Sequence, residues 1–269
     1  MIGIAFLLLS IAILILNSLT SSQEATPSPS STEEWMLSDV SEDWEEITPG
    51  LELRQLAISE KPALFVRADL RLLNLDLLYD PDEPLTVSDW RTSTEALFVV
   101  NAGFFEPDFT TSGILMTQNH VYGESYTQRD NADRLSSGMF LLDNDQASIH
   151  LLEDRLLPIA GNIDLGLESF PVLLLDNTPV DFRLPDRTAR RTSIALDDQG
   201  RVVFIILHDE TLTLYEFREG LLQLAEDLSL ISALNLDGGL STGVSILAGG
   251  ILLEMDSNGE VSSVFAISP

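Results

Sequence analysis

The sequence predicts an α+β fold: a single domain with a mostly antiparallel or mixed β-sheet and a few packed helices, preceded by an N-terminal hydrophobic segment. Three observations lead there. Apolar runs with period-two alternation recur along the chain with Asn, Asp and Gly between them, the signature of strands joined by tight turns. The segment Leu214 to Leu228 repeats its apolar residues at three- and four-residue spacing, the period of a helix. The span from Trp44 to Pro269, about 225 residues, is long enough for one well-filled core.

From the amino terminus, Ile2 to Leu16 is almost continuous Ile, Leu, Ala and Phe, broken by Gly3 and Ser10. An apolar run of about 15 to 18 residues falls between a signal-peptide core and a membrane span. Both readings export the rest of the chain. Against a cleaved signal stand the lack of Lys or Arg ahead of the run and of a small-x-small site near Asn17 to Ser22, so residues 1–22 read as signal peptide or membrane anchor. Residues 23–43 are Ser-, Pro- and Glu-rich and read as a polar linker, which leaves 44–269 as the folded domain.

Within that domain, alternation predicts strands at Leu51–Ile58, Ala63–Leu70, Leu73–Tyr79 and Leu97–Asn101. Turn residues then split apolar runs into hairpins: Asp143-Asn144-Asp145 between Met139–Leu142 and Ala147–Leu152, Asp176-Asn177-Thr178 after Val172–Leu175, and Asp197 to Gly200 between Thr192–Leu196 and Arg201–Leu207. Ser245–Leu253, with Gly249-Gly250, and Val261–Ile267 finish the chain in the same style. Thr213-x-x-Glu216 offers a capping box for the helix from Leu214, and a weaker helix is predicted over Ser88–Ala96.

Composition excludes several functions. The formal charge is -29, carried on residues 24–269 because residues 1–23 hold no ionisable side chain. Such a surface repels nucleic acid and anionic lipid, so no nucleic-acid partner is expected and any membrane contact is confined to the N-terminal segment. The absence of cysteine removes disulfides and thiolate chemistry.

Three segments set polar side chains at the ends of strand-like runs. In Asn235-Leu-Asp237-Gly238-Gly239-Leu-Ser241-Thr242 a short buried strand runs into a glycine bend, where the backbone can turn tightly and approach a ligand. A strand-Asp-Gly-Gly bend is also a common hairpin turn. The other two are Asn101-Ala-Gly103-Phe104-Phe105 and Arg191-Thr192-Ser193-Ile194. Taken in order, from about Pro62 to Ile246, they resemble the phosphodiester glycosidase family, which shows Asn-Gly-Gly-Phe-Phe, an Arg-Thr-Ala-Ile-Gly strand, a helix, and Asn-Leu-Asp-Gly-Gly-Gly-Ser. The departures are Ala102, Ser193, Ala195 and Leu240, the last in place of a third glycine.

The resemblance implies an exported glycosidase-type hydrolase that cleaves the glycosidic C–O bond of a sugar 1-phosphodiester or related anionic glycan. Asp237 is then expected to act at the anomeric carbon as nucleophile or base, Arg191 to hold the phosphate, and Asn101 and Asn235 to orient sugar hydroxyls or water. Gly238, Gly239, Ser241, Thr242 and Gly103 would shape and line the substrate site, and Ser169 falls where the family often has a polar residue near its pocket. Glycosidic cleavage usually takes two carboxylates. A phosphate leaving group lowers the need for an acid, and a guanidinium can neutralise it instead.

The residues themselves add one pointer. Of 13 arginines and the single lysine, Lys61, four arginines fall between 183 and 191: Arg183, Arg187, Arg190 and Arg191. Arginine's planar fork suits phosphate or carboxylate; pairing with Asp181, Asp186 and other carboxylates accounts for the group equally well, and Arg191 stands apart because it opens a strand within a motif. Glu106 and Asp108 read as solvated loop acids, Phe104 and Phe105 as core, and His208, before Asp209, is better placed than His120 or His150. No cofactor or metal site is indicated; Asp143-Asn144-Asp145 and Asp197-Asp198 are fragments of calcium-loop patterns without the glycine and distal glutamate, so a loosely held divalent cation such as calcium stays open. The competing reading is a non-catalytic carbohydrate-binding surface module on the same fold. A Ser esterase or protease is disfavoured, since no Gly-x-Ser-x-Gly elbow is present.

Overall fold

The computed structural model describes residues 32–117, 120–128, 136–152 and 163–269, with Thr32–Pro269 forming one compact unit. The expected signal or anchor at 1–22, and residues 23–31 of the expected linker, lie outside the described residues. Strand pairing begins at β1 (Glu33–Trp35), inside the stretch read as linker, and Leu37 and Val40 are buried just after it.

Among the described residues, three sheets build the fold. The eight-stranded sheet contains β2 (Glu45–Thr48), β3 (Leu51–Ile58), β4 (Lys61–Ala68), β12 (Val172–Leu175), β13 (Thr178–Pro179), β14 (Ala189–Asp197), β15 (Val202–Leu212) and β16 (Leu230–Asn235), in the order β13-β12-β16-β14-β15-β4-β3-β2. The six-stranded sheet joins β1 to β5 (Asn74–Tyr79), β6 (Phe98–Asn101), β17 (Val244–Ala248), β18 (Ile251–Met255) and β19 (Ser263–Ser268), ordered β1-β18-β17-β6-β19-β5. The five-stranded sheet comprises β7 (Leu115–Thr117), β8 (His120–Tyr122), β9 (Gly138–Asp143), β10 (Gln146–Leu151) and β11 (Leu165–Ser169). Among the described residues, β1 with β18 is the one parallel pairing.

The α+β expectation is corrected by this architecture. The described residues are mostly β, about half in strands, with two α-helices, α1 (Val87–Thr94) and α2 (Leu214–Leu224). Both predicted helices form, and α2 has its capping box: Glu216 N–H donates to Thr213 Oγ1 at 3.2 Å and Thr213 N–H to Glu216 Oε2 at 2.8 Å. The class differs because sheets, rather than helices, cover the inner sheet faces. Leu64, Val66, Ile194, Phe204 and Leu234 of the eight-stranded sheet meet Phe98, Val100, Phe265 and Ile267 of the six-stranded sheet in one core, closed at one end by Phe140, Leu142 and Leu165 of the five-stranded sheet. Phe204 joins the layers through Phe98 at 5.0 Å and Phe265 at 5.6 Å between ring centroids, and Phe265 in turn meets Phe140 at 5.6 Å.

Alternate residues of the same strands serve the outer faces. Ala63, Phe65, Ala195, Val203, Ile205 and Leu207 pack under Phe217 and Leu221 of α2, while Val99, Val264 and Ala266 pack under Val87 and Trp90 of α1. Strands buried on both faces read as continuous apolar runs, as in Val202–Leu207.

Candidate active site

The site forms where β14 and β16 run past the end of their ladder. Ser193 pairs with Asn235, a hydrogen bond from Leu236 N–H to Thr192 O at 2.9 Å keeps that register, and the bond from Gly239 N–H to Arg190 O at 3.0 Å falls one residue out of it, at the bend. Past the end of the ladder the Asp237 main chain runs alongside Arg190 and Arg191, its N–H turned to Ala102 O at 3.1 Å. Gly238 is required there by close approach: a Cβ on it would lie 2.6 Å from Arg190 O. Gly239 has φ +64°, in the left-handed region that favours glycine.

Asp237 keeps some solvent contact, yet the protein around its carboxyl removes most of its hydration. That desolvation pushes its pKa up to about 6, against the opposing pull of hydrogen bonds from the Ser241 hydroxyl and the Gly238 amide, the latter 2.8 Å long. Arg191 is buried, and desolvation lowers its pKa to about 10. Its Nε donates to Leu212 O at 2.9 Å and its Nη2 to Arg187 O at 2.6 Å. No carboxylate pairs with it among the described residues, so the site holds a buried cation whose partners are neutral carbonyls.

Asn101, at the end of β6, sits behind the bend rather than beside the carboxyl. Its Nδ2 donates to Asp237 O at 2.7 Å, and its Oδ1 accepts from Thr192 Oγ1 at 2.8 Å and Gly243 N–H at 3.3 Å. Only 1% exposed, it fastens the six-stranded sheet to the Asp237 main chain. Thr242, fully buried, lies 3.3 Å from Thr192 Oγ1 and belongs to this clamp. Asn235 gives its Nδ2 to Phe170 O and Leu236 O at 2.8 and 2.7 Å, while its buried Oδ1 has no partner. Ser169, at the end of β11, donates its hydroxyl to Asn235 O at 2.7 Å. Gly103 admits Leu167, whose Cδ1 would stand 2.8 Å from a Cβ there, and Leu240 projects into solvent.

Adjacent arginines on β14 have different surroundings. Arg190 turns its Nε to Gly239 O at 2.6 Å, its Nη1 lies 3.1 Å from His208 Nε2, and its buried Nη2 is unpartnered. Arg183 and Arg187 are exposed. Phe104 stacks on Phe170 at 4.6 Å, and Phe105 on Phe109 at 5.4 Å. Glu106 accepts from Ser112 Oγ, and Asp108 is held below its ordinary pKa by the Thr110 hydroxyl in a solvated turn. Asp197 is spent on the Gln199 and Arg201 amides and the Arg201 guanidinium. Among the described residues no three His, Asp or Glu side chains gather as a metal site.

Sequence reasoning passed over Glu168. This buried carboxylate accepts from Ile114 N–H, Ser125 Oγ and Tyr126 N–H at 3.2, 2.8 and 3.0 Å, tying the 125–128 turn to the strand that carries Ser169. A lone acid between Leu167 and Ser169 was the one available signal.

The fold resembles that of the catalytic domain of zebrafish N-acetylglucosamine-1-phosphodiester alpha-N-acetylglucosaminidase in a form auto-inhibited by its pro-peptide, with a TM-score of 0.61 at 16% identity, over 84% of this chain and 85% of that one. It also resembles a hypothetical protein from Synechocystis, with a TM-score of 0.59 at 17% identity over 84% of this chain; the match spans 63% of that protein's length. No curated protein matches by sequence. The sequence pattern of one family, phosphodiester glycosidase, matches residues 94–267, a span that takes in Asn101, Arg191 and the Asp237 bend, and the chain belongs to that family.

Proposed function

We propose that the protein is a hydrolase that cleaves the glycosidic C–O bond of a sugar 1-phosphodiester or related anionic glycan. The observation that carries this reading is Arg191, a buried guanidinium that no carboxylate pairs with among the described residues, on the strand that the Asp237 bend runs past, while desolvation pushes the pKa of the Asp237 carboxyl up to about 6. Burying an unpaired cation is costly, and an anionic substrate group at Arg191 would offset that cost.

With a pKa of about 6, Asp237 is mostly ionised at neutral pH. It attacks the anomeric carbon directly, forming a glycosyl-enzyme that water then hydrolyses, or it takes the proton of a water that attacks there. In either course the bond from C1 to the bridging oxygen breaks, the phosphate monoester leaves with that oxygen, and the hydroxyl from water ends on C1. The anomeric configuration of the product separates the two courses. Arg191 neutralises the leaving phosphate, and Asn101, Thr192 and Thr242 hold the Asp237 main chain in place.

We further propose that the protein is exported, on the strength of the apolar Ile2–Leu16 segment; cell fractionation tests this, and recovery in the cytoplasm would overturn it. For the activity, purified protein is incubated with a sugar 1-phosphodiester and released sugar is followed. Release by the wild type and its loss in Asp237→Asn is expected; binding without release would instead make the chain a carbohydrate-binding module.

A further inference from the structure

His208 makes contacts that no single protonation state satisfies. Its Nδ1 lies 2.7 Å from Asp209 Oδ1, and its Nε2 lies 3.1 Å from Arg190 Nη1 and 2.8 Å from the Asp256 carbonyl oxygen. The Asp209 carboxylate calls for a proton on Nδ1. In the neutral ring Nε2 then offers a lone pair, which accepts from Arg190 and leaves the Asp256 carbonyl facing another acceptor. In the imidazolium Nε2–H donates to Asp256 O, and Arg190 faces both a donor and a positive charge. One proton therefore exchanges Arg190 for Asp256.

Arg190 links that choice to the site. Its Nε donates to Gly239 O at 2.6 Å, in the bend that carries Asp237, and its main-chain oxygen accepts from Gly239 N–H. Ser241, whose N–H reaches Gly238 O at 3.3 Å, closes the bend and hydrogen-bonds the Asp237 carboxylate. Among the described residues, the charged groups facing His208 are Arg190 from β14, Asp209 beside it on β15, and Asp256 after β18, whose own carboxylate is engaged by the Ser88 and Ser257 amides.

We propose that His208 is a positioning residue that acts through Arg190 on the Gly239 carbonyl, so that the neutral ring braces the Asp237 bend and the imidazolium releases it. The proposal rests on the hydrolase reading for its catalytic meaning, although the coupling itself stands on geometry.

The test is nuclear magnetic resonance of the full-length labelled protein, following the His208 ring and the Gly239 amide from pH 5 to 8. Asp237→Asn is used as background, to remove that carboxyl's own titration. The Gly239 amide is expected to shift with the same midpoint as the His208 ring, and His208→Gln is expected to abolish the shift while leaving the dispersed spectrum of the fold. A Gly239 amide that ignores the His208 midpoint, or that still titrates in the His208→Gln protein, would overturn the proposal. In the protein that retains Asp237, His208→Gln should also remove one inflection from the acid limb of kcat/KM. Absence of turnover would count against the hydrolase reading and leave the spectroscopic result standing.

Discussion

Asp237→Asn should stabilise the protein, and only above the range in which the carboxyl ionises. Desolvation raises this group from 3.8 to about 6, so between those values the folded state binds more protons than the unfolded chain. Stability therefore falls as pH rises through that window and levels off above it. A shift of about 2 units corresponds to about 3 kcal/mol at 1.36 kcal/mol per unit. Residual solvent contact screens part of it, which leaves roughly 1.5 to 3 kcal/mol. Asparagine keeps an acceptor for the Gly238 amide and the Ser241 hydroxyl and carries no charge to desolvate. For a domain of this size the gain equals roughly 3 to 10 °C in Tm. Thermal unfolding of both proteins at pH 3 and pH 8 measures it, since the other carboxylates are common to the two and cancel. Curves that coincide at pH 3 and separate at pH 8, with the variant higher, are expected. A difference that does not depend on pH would refute the claim that burial of this carboxyl is costly.

Asn101→Ala deletes one donor to Asp237 O and the acceptor of Thr192 and Gly243 in a buried clamp, which should cost about 2 to 4 kcal/mol by denaturant titration. Gly238→Ala places a methyl 2.6 Å from a main-chain oxygen, and should lower hydrolysis at least tenfold as the bend shifts away from β14, read as kcat/KM beside an unchanged far-ultraviolet spectrum. Arg191→Met removes a buried cation without a carboxylate partner: Tm is expected to hold or rise while affinity for a sugar 1-phosphate, measured by calorimetry, falls at least tenfold.

Local signals carried most of the strand reading. The β9–β10, β12–β13, β14–β15 and β17–β18 hairpins were legible because Asn144, Asp145, Asp176, Asn177, Gly200, Gly249 and Gly250 adopt positive φ, which turn residues of these types tolerate. The capping box marked the start of α2. Pairings across long stretches of chain, such as β6 between β17 and β19 or β4 beside β15, left no local trace, and with them went the division into three sheets.

The same limit applied at the site. Asp237 and Arg191 could each be singled out from a motif, but their relation depends on β14 pairing with β16 across the intervening β15 and α2. The different surroundings of Arg190 and Arg191 follow from strand alternation and from a register shift at the start of β14, and neither is visible in a run of arginines. Asn101 was expected beside substrate. Its amide is instead committed to the main chain of the bend, where it sets the position of the carboxyl.

Hydrolysis of a sugar 1-phosphodiester in water enriched in oxygen-18 tests the central claim most directly, because the label reports which bond breaks. Attack at the anomeric carbon by way of Asp237 places the heavy oxygen on the released sugar and leaves the phosphate monoester unlabelled. Label in the phosphate would show P–O cleavage and contradict the roles given to Asp237 and Arg191.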